Sequence, residues 1–232
     1  MTPFDLISGR RVALRLVIFD CDGVIVDSEP VSNRIIAEDV TAKGWPMGTD
    51  EATRRFLGVT LGDIRPIIER QLGKPLPENW HGDLTTRIVQ ALAVEATPIP
   101  GAVEALQALT AMGVPWRVAS NSSHPEMRAK FARLGIGDLV AGRLHSYTDV
   151  ARGKPAPELF LAAAAAEGVG PAECLVIEDS LPGVRAAVAA GMDCLAYSPH
   201  SDGALLRGAG AVPFHAMADL PLLVEAAWRR AA

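Results

Sequence analysis

Short apolar runs, separated by stretches with helical spacing, set the pattern of this chain. The run RVALRLVIF at 11–19 ends against Asp20-Cys21-Asp22-Gly23. That polar tetrapeptide breaks any helical period, so a buried strand ending at Asp20 is predicted. Similar runs at 114–120, 174–178 and 193–197 predict further strands, with a weaker one at 139–144. Over 101–112 apolar residues stand at 102, 103, 105, 106, 109 and 112, a helical period closed by Gly113. Helices are predicted likewise at 125–134, 157–167 and 182–190, stopped by Gly135, Gly168 and Gly191. Alternating strands and helices of this kind predict an α/β fold, a doubly wound parallel sheet covered on both faces.

The segment 29–98 interrupts the alternation. It reads as helices at 31–43, 50–57, 61–72 and 81–94, with no strong strand signal among them. A small helical cap domain inserted after the first strand is predicted, with the core formed by 1–28 and 99–232. The linkers fall near 28–30 and 97–101, both rich in turn formers. The alanine run at 162–166 reads as close helix packing rather than low complexity.

Composition adds exclusions. The chain has 232 residues, 49% of them apolar, which is enough for a sizeable core and argues against disorder. Lys and Arg total 22 against 27 Asp and Glu, so the net charge of −5 provides no attraction for nucleic acid. No apolar stretch reaches the roughly 20 residues of a membrane helix. Charges at Asp5, Arg10, Arg11 and Arg15, with no clear cleavage site, argue against a secretory signal. Cys21, Cys174 and Cys194 are too far apart for a metal pair or a disulfide framework and suit the cytoplasm.

In an open parallel sheet, ligands bind beyond the carboxyl ends of the strands. The polar residues expected there are Asp20-Cys21-Asp22-Gly23, Ser120-Asn121-Ser122, Gly153-Lys154-Pro155 and Glu178-Asp179-Ser180. This set suits phosphoryl transfer. A phosphate monoester is a dianion that repels a carboxylate nucleophile, and a hard cation on oxygen ligands removes the repulsion. Asp20, Asp179 and, as a further candidate, Glu178 are the ligands predicted for Mg²⁺. One aspartate can then attack phosphorus, and a second carboxyl two residues on can protonate the leaving alcohol and later deprotonate water. Lys154 would neutralise remaining charge and Ser120 would donate to a phosphate oxygen. Gly23 would let backbone N–H groups face the phosphate.

The segments LVIFDCDGVIVDSEP, VASNSS, GKPAPELF and VIEDSLPGVRAA, in that order, resemble the four motifs of the haloacid dehalogenase superfamily. The likeness is to its capped sugar-phosphate phosphatases and β-phosphoglucomutase-like members. It implies Asp20 as nucleophile, Asp22 as general acid/base, and Ser120 and Lys154 as phosphate ligands with Asn121 beside them. It implies Mg²⁺ on the Asp20 carboxylate, the Asp22 backbone carbonyl and Asp179, with Glu178 close by. A cap closing over the site would exclude water and select the substrate.

Within the superfamily, Asp22 separates the chain from true dehalogenases, which lack a second aspartate in the first motif. Mutase relatives usually carry a histidine where this chain has Ser32. They also carry an arginine after the Gly-Val-Ser/Thr turn, here Gly58-Val59-Thr60 followed by Leu61. The expected reaction is therefore hydrolysis of a small phosphate monoester through an aspartyl-phosphate. Motif spelling and length resemble 6-phosphogluconate phosphatases. The alternatives are a hexose-phosphate mutase, a phospho-accepting signalling module and a non-catalytic binding protein. The expected partner is a small phosphorylated metabolite, with no nucleic acid and no membrane, for a monomer or weak homodimer. Cys21 is expected to point into the core. His81, His124, His145, His200 and His215 show no ligand spacing, and Arg54, Arg55 and Arg65 are read as a solvated face or as contacts to an anionic substrate.

Overall fold

The structure is a computed structural model that describes residues 12–56, 59 and 61–228. Asp5, Arg10, Arg11, Gly58 and Thr60 lie outside the described residues, and with them most of the cap turn singled out above.

Six parallel strands form one sheet: β1 (Leu16–Phe19), β4 (Trp116–Ser120), β5 (Leu144–Ser146), β6 (Cys174–Glu178), β7 (Asp193–Tyr197) and β8 (Val212–Phe214). Their order is β5-β4-β1-β6-β7-β8, so the chain winds outward from β1 in both directions. β1 is the central strand, and its residues are buried throughout. Continuous burial of LVIF follows from helices on both faces, which leave no side for polar alternation.

Two apolar layers result. Val17, Phe19, Val118, Leu175, Ile177 and Leu195 belong to one, and Leu16, Ile18, Ala119, Val176, Cys194 and Ala196 to the other. Alternate residues of each strand go to opposite faces, as the period of two demands. The first face is covered by α5 (Ala102–Ala111), α6 (His124–Arg133) and α11 (Leu220–Trp228). The second is covered by α8 (Glu158–Ala166), α9 (Leu181–Ala189) and α10 (Ala204–Gly208). On α8, Ala163 and Ala164 are buried against this layer, which is the close packing expected, for two of the five alanines in the run.

Four helices follow the first strand: α1 (Glu29–Ala42), α2 (Thr49–Phe56), α3 (Leu61–Leu72) and α4 (Trp80–Glu95). They enter and leave through a small antiparallel ribbon, β2 (Val26–Asp27) with β3 (Thr97–Pro98). The sequence pattern missed this ribbon because two-residue strands carry no periodicity. Inside the helical layer Asp39 is a buried anchor, accepting from Trp80 Nε1 at 2.8 Å and pairing with Lys43 and Arg87. The run at 139–144 is a correction: its first residues form the short helix α7 (Gly137–Val140), and the strand β5 begins only at Leu144. Gly142, with φ +73, turns the chain between them. The edge strand β8 and the helices α10 and α11 had no sequence signal strong enough to predict.

Candidate active site

Strand register brings the polar ends together. Phe19 pairs with Val118 on one side and Ile177 on the other, so Asp20 emerges level with Ala119 and Glu178. Asp20 N–H still donates to the Ile177 carbonyl at 2.9 Å, which fixes the backbone at the point where the side chain leaves the sheet. Carboxylate oxygens of Asp20, Glu178 and Asp179 lie within 4.8 Å of one another.

Lys154 ties this acidic group together. Its ammonium is buried and donates to Asp20 Oδ1 at 2.6 Å and Glu178 Oε1 at 2.8 Å. It also lies 4.7 Å from the centre of the Phe160 ring on α8. Burial would lower its pKa, but the charges of Asp20 and Glu178 and their hydrogen bonds override it and hold the pKa above the ordinary lysine value. Asp20 shows the opposite balance. Burial, with repulsion from Glu178 and Asp22, outweighs the attraction of Lys154 and pushes its carboxyl up to about 7. Asp179 is raised well above the carboxylate range, by burial first and then by Glu178 and Asp20. Acids crowded in this way favour a proton or a cation between them.

The Glu178 carboxylate is occupied. Oε2 accepts from the N–H groups of Asp179 and Ser180 at 2.9 and 2.8 Å and from Ser180 Oγ at 2.9 Å, while Oε1 takes Lys154. Ser180 in turn caps α9 by accepting from Gly183 N–H at 3.2 Å. A Cβ on Gly183 would run into the Glu178 carboxyl group, which explains glycine in the first turn of that helix. Glu178 therefore braces Lys154 and the turn that carries Asp179.

Asp22 belongs to a second group, on the α6 side of β1. Its Oδ1 accepts from Lys130 Nζ at 2.6 Å and from the hydroxyl of Ser28, which precedes α1. Its Oδ2 accepts from Ser122 Oγ at 2.8 Å and Ser120 Oγ at 3.3 Å. Burial would raise this carboxyl, but the Lys130 charge and these donors override it and hold the pKa below the ordinary value. Ser120 does not cap α6, which is capped by Ser123 in a reciprocal capping box with Glu126.

Gly23 and Asn121 shape the loops around the site. Gly23 does adopt a left-handed turn, with φ +73, and a Cβ there would collide with the Asp179 carboxylate. Its own N–H donates to the Val26 carbonyl at 2.8 Å, which holds the turn closed. Asn121 clamps the backbone of Lys154 instead of reaching outward. Its Oδ1 accepts from Lys154 N–H at 2.9 Å, and its Nδ2 donates to the Lys154 carbonyl at 3.0 Å.

Cys21 is fully buried among the apolar residues of the α6 face, and burial pushes its thiol up, away from nucleophilic use. His124 bonds Asp149 at 2.9 Å, outside both groups. On the helical layer Arg55 pairs with Glu51 and stacks on Trp45, Arg65 pairs with Glu69, and Arg54 is exposed. Lys130 was missed by the sequence reading. Its signal was there: Met127, Lys130, Phe131 and Leu134 share the i, i+3, i+4, i+7 spacing of a buried face, with one charge among apolar residues.

No helix among the described residues is long and apolar enough to cross a membrane.

Comparison with known proteins agrees with this geometry. The chain is 30% identical over 191 residues to the 6-phosphogluconate phosphatase of Escherichia coli K12, covering 81% of this chain and 85% of that one. It is 30% identical over 202 residues to a phosphorylated carbohydrates phosphatase of Thermotoga maritima, covering 86% and 93%. A hydrolase of the same family from Deinococcus radiodurans, crystallised with phosphate and sodium, superposes with a TM-score of 0.75 at 31% identity, covering 92% and 96%. The haloacid dehalogenase-like hydrolase family model matches residues 14–191. This chain is an enzyme of the haloacid dehalogenase-like hydrolase family.

Proposed function

We propose that the protein is a Mg²⁺-dependent phosphatase that hydrolyses a small phosphorylated carbohydrate, such as 6-phosphogluconate, in the cytoplasm. The observation that carries this reading is the convergence of Asp20, Asp179, Glu178 and Lys154 on one end of the sheet, with Asp22 beside them.

The donor set fits a hard divalent cation. All candidate ligands are oxygens, and the raised carboxyls of Asp20 and Asp179 are destabilised as anions until a cation joins them. Asp20, Asp179 and the Asp22 backbone carbonyl would hold it, with Glu178 outside the ligand set because its oxygens are already engaged. When bound, Mg²⁺ supplies the charge that lets an anionic nucleophile approach a phosphate dianion.

The chain's own groups do the rest. Asp20, oriented by Lys154, attacks phosphorus, and the ester P–O bond breaks as the aspartyl-phosphate forms. Asp22, a carboxylate before substrate binds, takes a proton from the monoanionic form of the phosphate monoester and gives it to the departing alkoxide. It then takes one from a water that attacks the phosphoenzyme, releasing inorganic phosphate and the Asp20 carboxylate. Ser120 supplies a hydroxyl for a phosphate oxygen. The helical segment 29–98 acts as the cap over the core formed by 1–28 and 99–232. Ser32, within α1, and Leu61, at the start of α3, stand where the mutase resemblance implies histidine and arginine, which supports hydrolysis over phosphate return.

Release of inorganic phosphate from a panel of sugar phosphates, with and without chelator, tests the reading. Turnover should vanish in chelator, return with Mg²⁺ and vanish again in Asp20→Asn. Near-normal turnover in Asp20→Asn would remove the nucleophile from this account.

A further inference from the structure

Lys130 has the least exposed ammonium-bearing side chain near the site, with 2% of it accessible, whereas the carboxyl partner it faces, Asp22, is 30% accessible. It sits on the buried face of α6, between Met127 and Phe131. Replacing both members of a buried ion pair by apolar side chains of similar volume is often neutral or stabilising. Stability alone therefore gives no reason for the Lys130–Asp22 pair here.

Its contacts give one. Nζ donates to Asp22 Oδ1 at 2.6 Å and to Ser122 Oγ at 2.8 Å. Ser122 Oγ passes a hydrogen bond on to Asp22 Oδ2 at 2.8 Å, so lysine and serine grip both oxygens of one carboxylate. Ser122 is itself pinned: its N–H donates to Ser120 Oγ at 3.0 Å, and its carbonyl accepts from Ser146 Oγ at 2.8 Å. The grip comes from the core side, from behind Asp22. The Asp20 carboxylate is held by Lys154 instead.

We propose that Lys130, acting through Ser122, is a positioning residue for Asp22, setting the carboxyl where it meets the oxygen of the leaving alcohol. The inference rests on the phosphatase reading and on the acid role given to Asp22. It assigns separate cations to the two aspartates: Lys154 serves the nucleophile and Lys130 serves the acid.

The two roles separate by leaving group. An alkoxide needs a proton as it departs, whereas p-nitrophenolate leaves without one. The test measures kcat/KM, which reports the phosphorylation half-reaction, for p-nitrophenyl phosphate and for 6-phosphogluconate or another sugar phosphate that the panel shows to be turned over. General acid catalysis contributes on the order of 10²–10⁴ in rate, so Lys130→Met should lose about 10- to 100-fold on the sugar phosphate and less than about 3-fold on the aryl ester. Equal losses on both, or no loss on either, overturn the assignment.

Asp22→Asn run on the same pair separates the two failures. A selective loss in Asp22→Asn without one in Lys130→Met sinks the Lys130 role alone. No selectivity in Asp22→Asn sinks the acid role, and the inference with it. Should Lys130→Met fail to fold, Ser122→Ala removes the hydroxyl that Lys130 reaches and is judged by the same ratio.

Discussion

At the scale of single residues, the site is a set of buried charges whose partners are already in place. Lys154→Met would leave Asp20 and Glu178 without their shared cation. Removing one member of a buried ion pair costs about 3–5 kcal/mol, and chemical denaturation of the variant should show a loss of that order. A loss below about 1 kcal/mol, the range of surface pairs, would mean that water reaches the cluster. Gly183→Ala should also be harmful, because the added methyl enters the space of the Glu178 carboxyl group. Overpacking of this kind costs about 1–3 kcal/mol, and here it should cut turnover too, since Glu178 braces both Lys154 and the Asp179 turn. Wild-type activity in Gly183→Ala would show that Glu178 can shift freely. Asp20, Asp22 and Asp179 were legible in the sequence because polar residues at the close of apolar runs stand at strand ends, and Lys154, in the loop beyond β5, through the Gly153-Lys154-Pro155 motif. The clamp of Asn121 on Lys154 and the grip of Lys130 on Asp22 were not. Each joins residues far apart in the chain, and no spacing rule connects them.

At the scale of elements, α6 links the site to the rest of the core. Its first turn is closed by Ser123 and Glu126, its apolar face carries Met127 and Phe131, and its buried cation points at Asp22. Ser123→Ala removes one side of the capping box and should cost about 1 kcal/mol in denaturant unfolding. Because Ser123 does not touch Asp22 in the hydrogen-bond network, the same variant should keep its sugar-phosphate to aryl-phosphate ratio. A changed ratio would show that the helix start itself sets the acid. The long helices were predicted to within a few residues, since their apolar spacing and glycine stops are local. β2, β3, β5 and β8 are only two or three residues long, and partners from elsewhere in the chain define them. That is why the weak run at 139–144 was misplaced and the ribbon at the base of the helical layer was invisible.

For the whole molecule, acidity and metal binding are linked through Asp20. Its carboxyl is raised from the ordinary 3.8 to about 7, chiefly by burial. A raised folded-state pKa contributes stability that is complete below the unfolded value and lost as pH rises through the folded one. The metal-free protein should therefore melt at a lower temperature at pH 8 than at pH 5, and Mg²⁺ should raise the melting temperature more at pH 8, where the ligands are ionised. A Mg²⁺ effect of equal size at both pH values would show that Asp20 and Asp179 do not share the ion. The three cysteines are buried thiols that form no disulfide, so reductant should leave these curves unchanged. By itself, the sequence determined the alternation of strands and helices, the helical insertion and the identity of the polar residues at strand ends, because periodicity and turn chemistry act over a few residues. Only the tertiary structure decided which of those ends lie side by side. The order β4-β1-β6 sets segments about a hundred residues or more apart at hydrogen-bonding distance. Burial there then turns ordinary carboxyls and lysines into two separately held groups, because removing water makes every charge depend on the partner it meets.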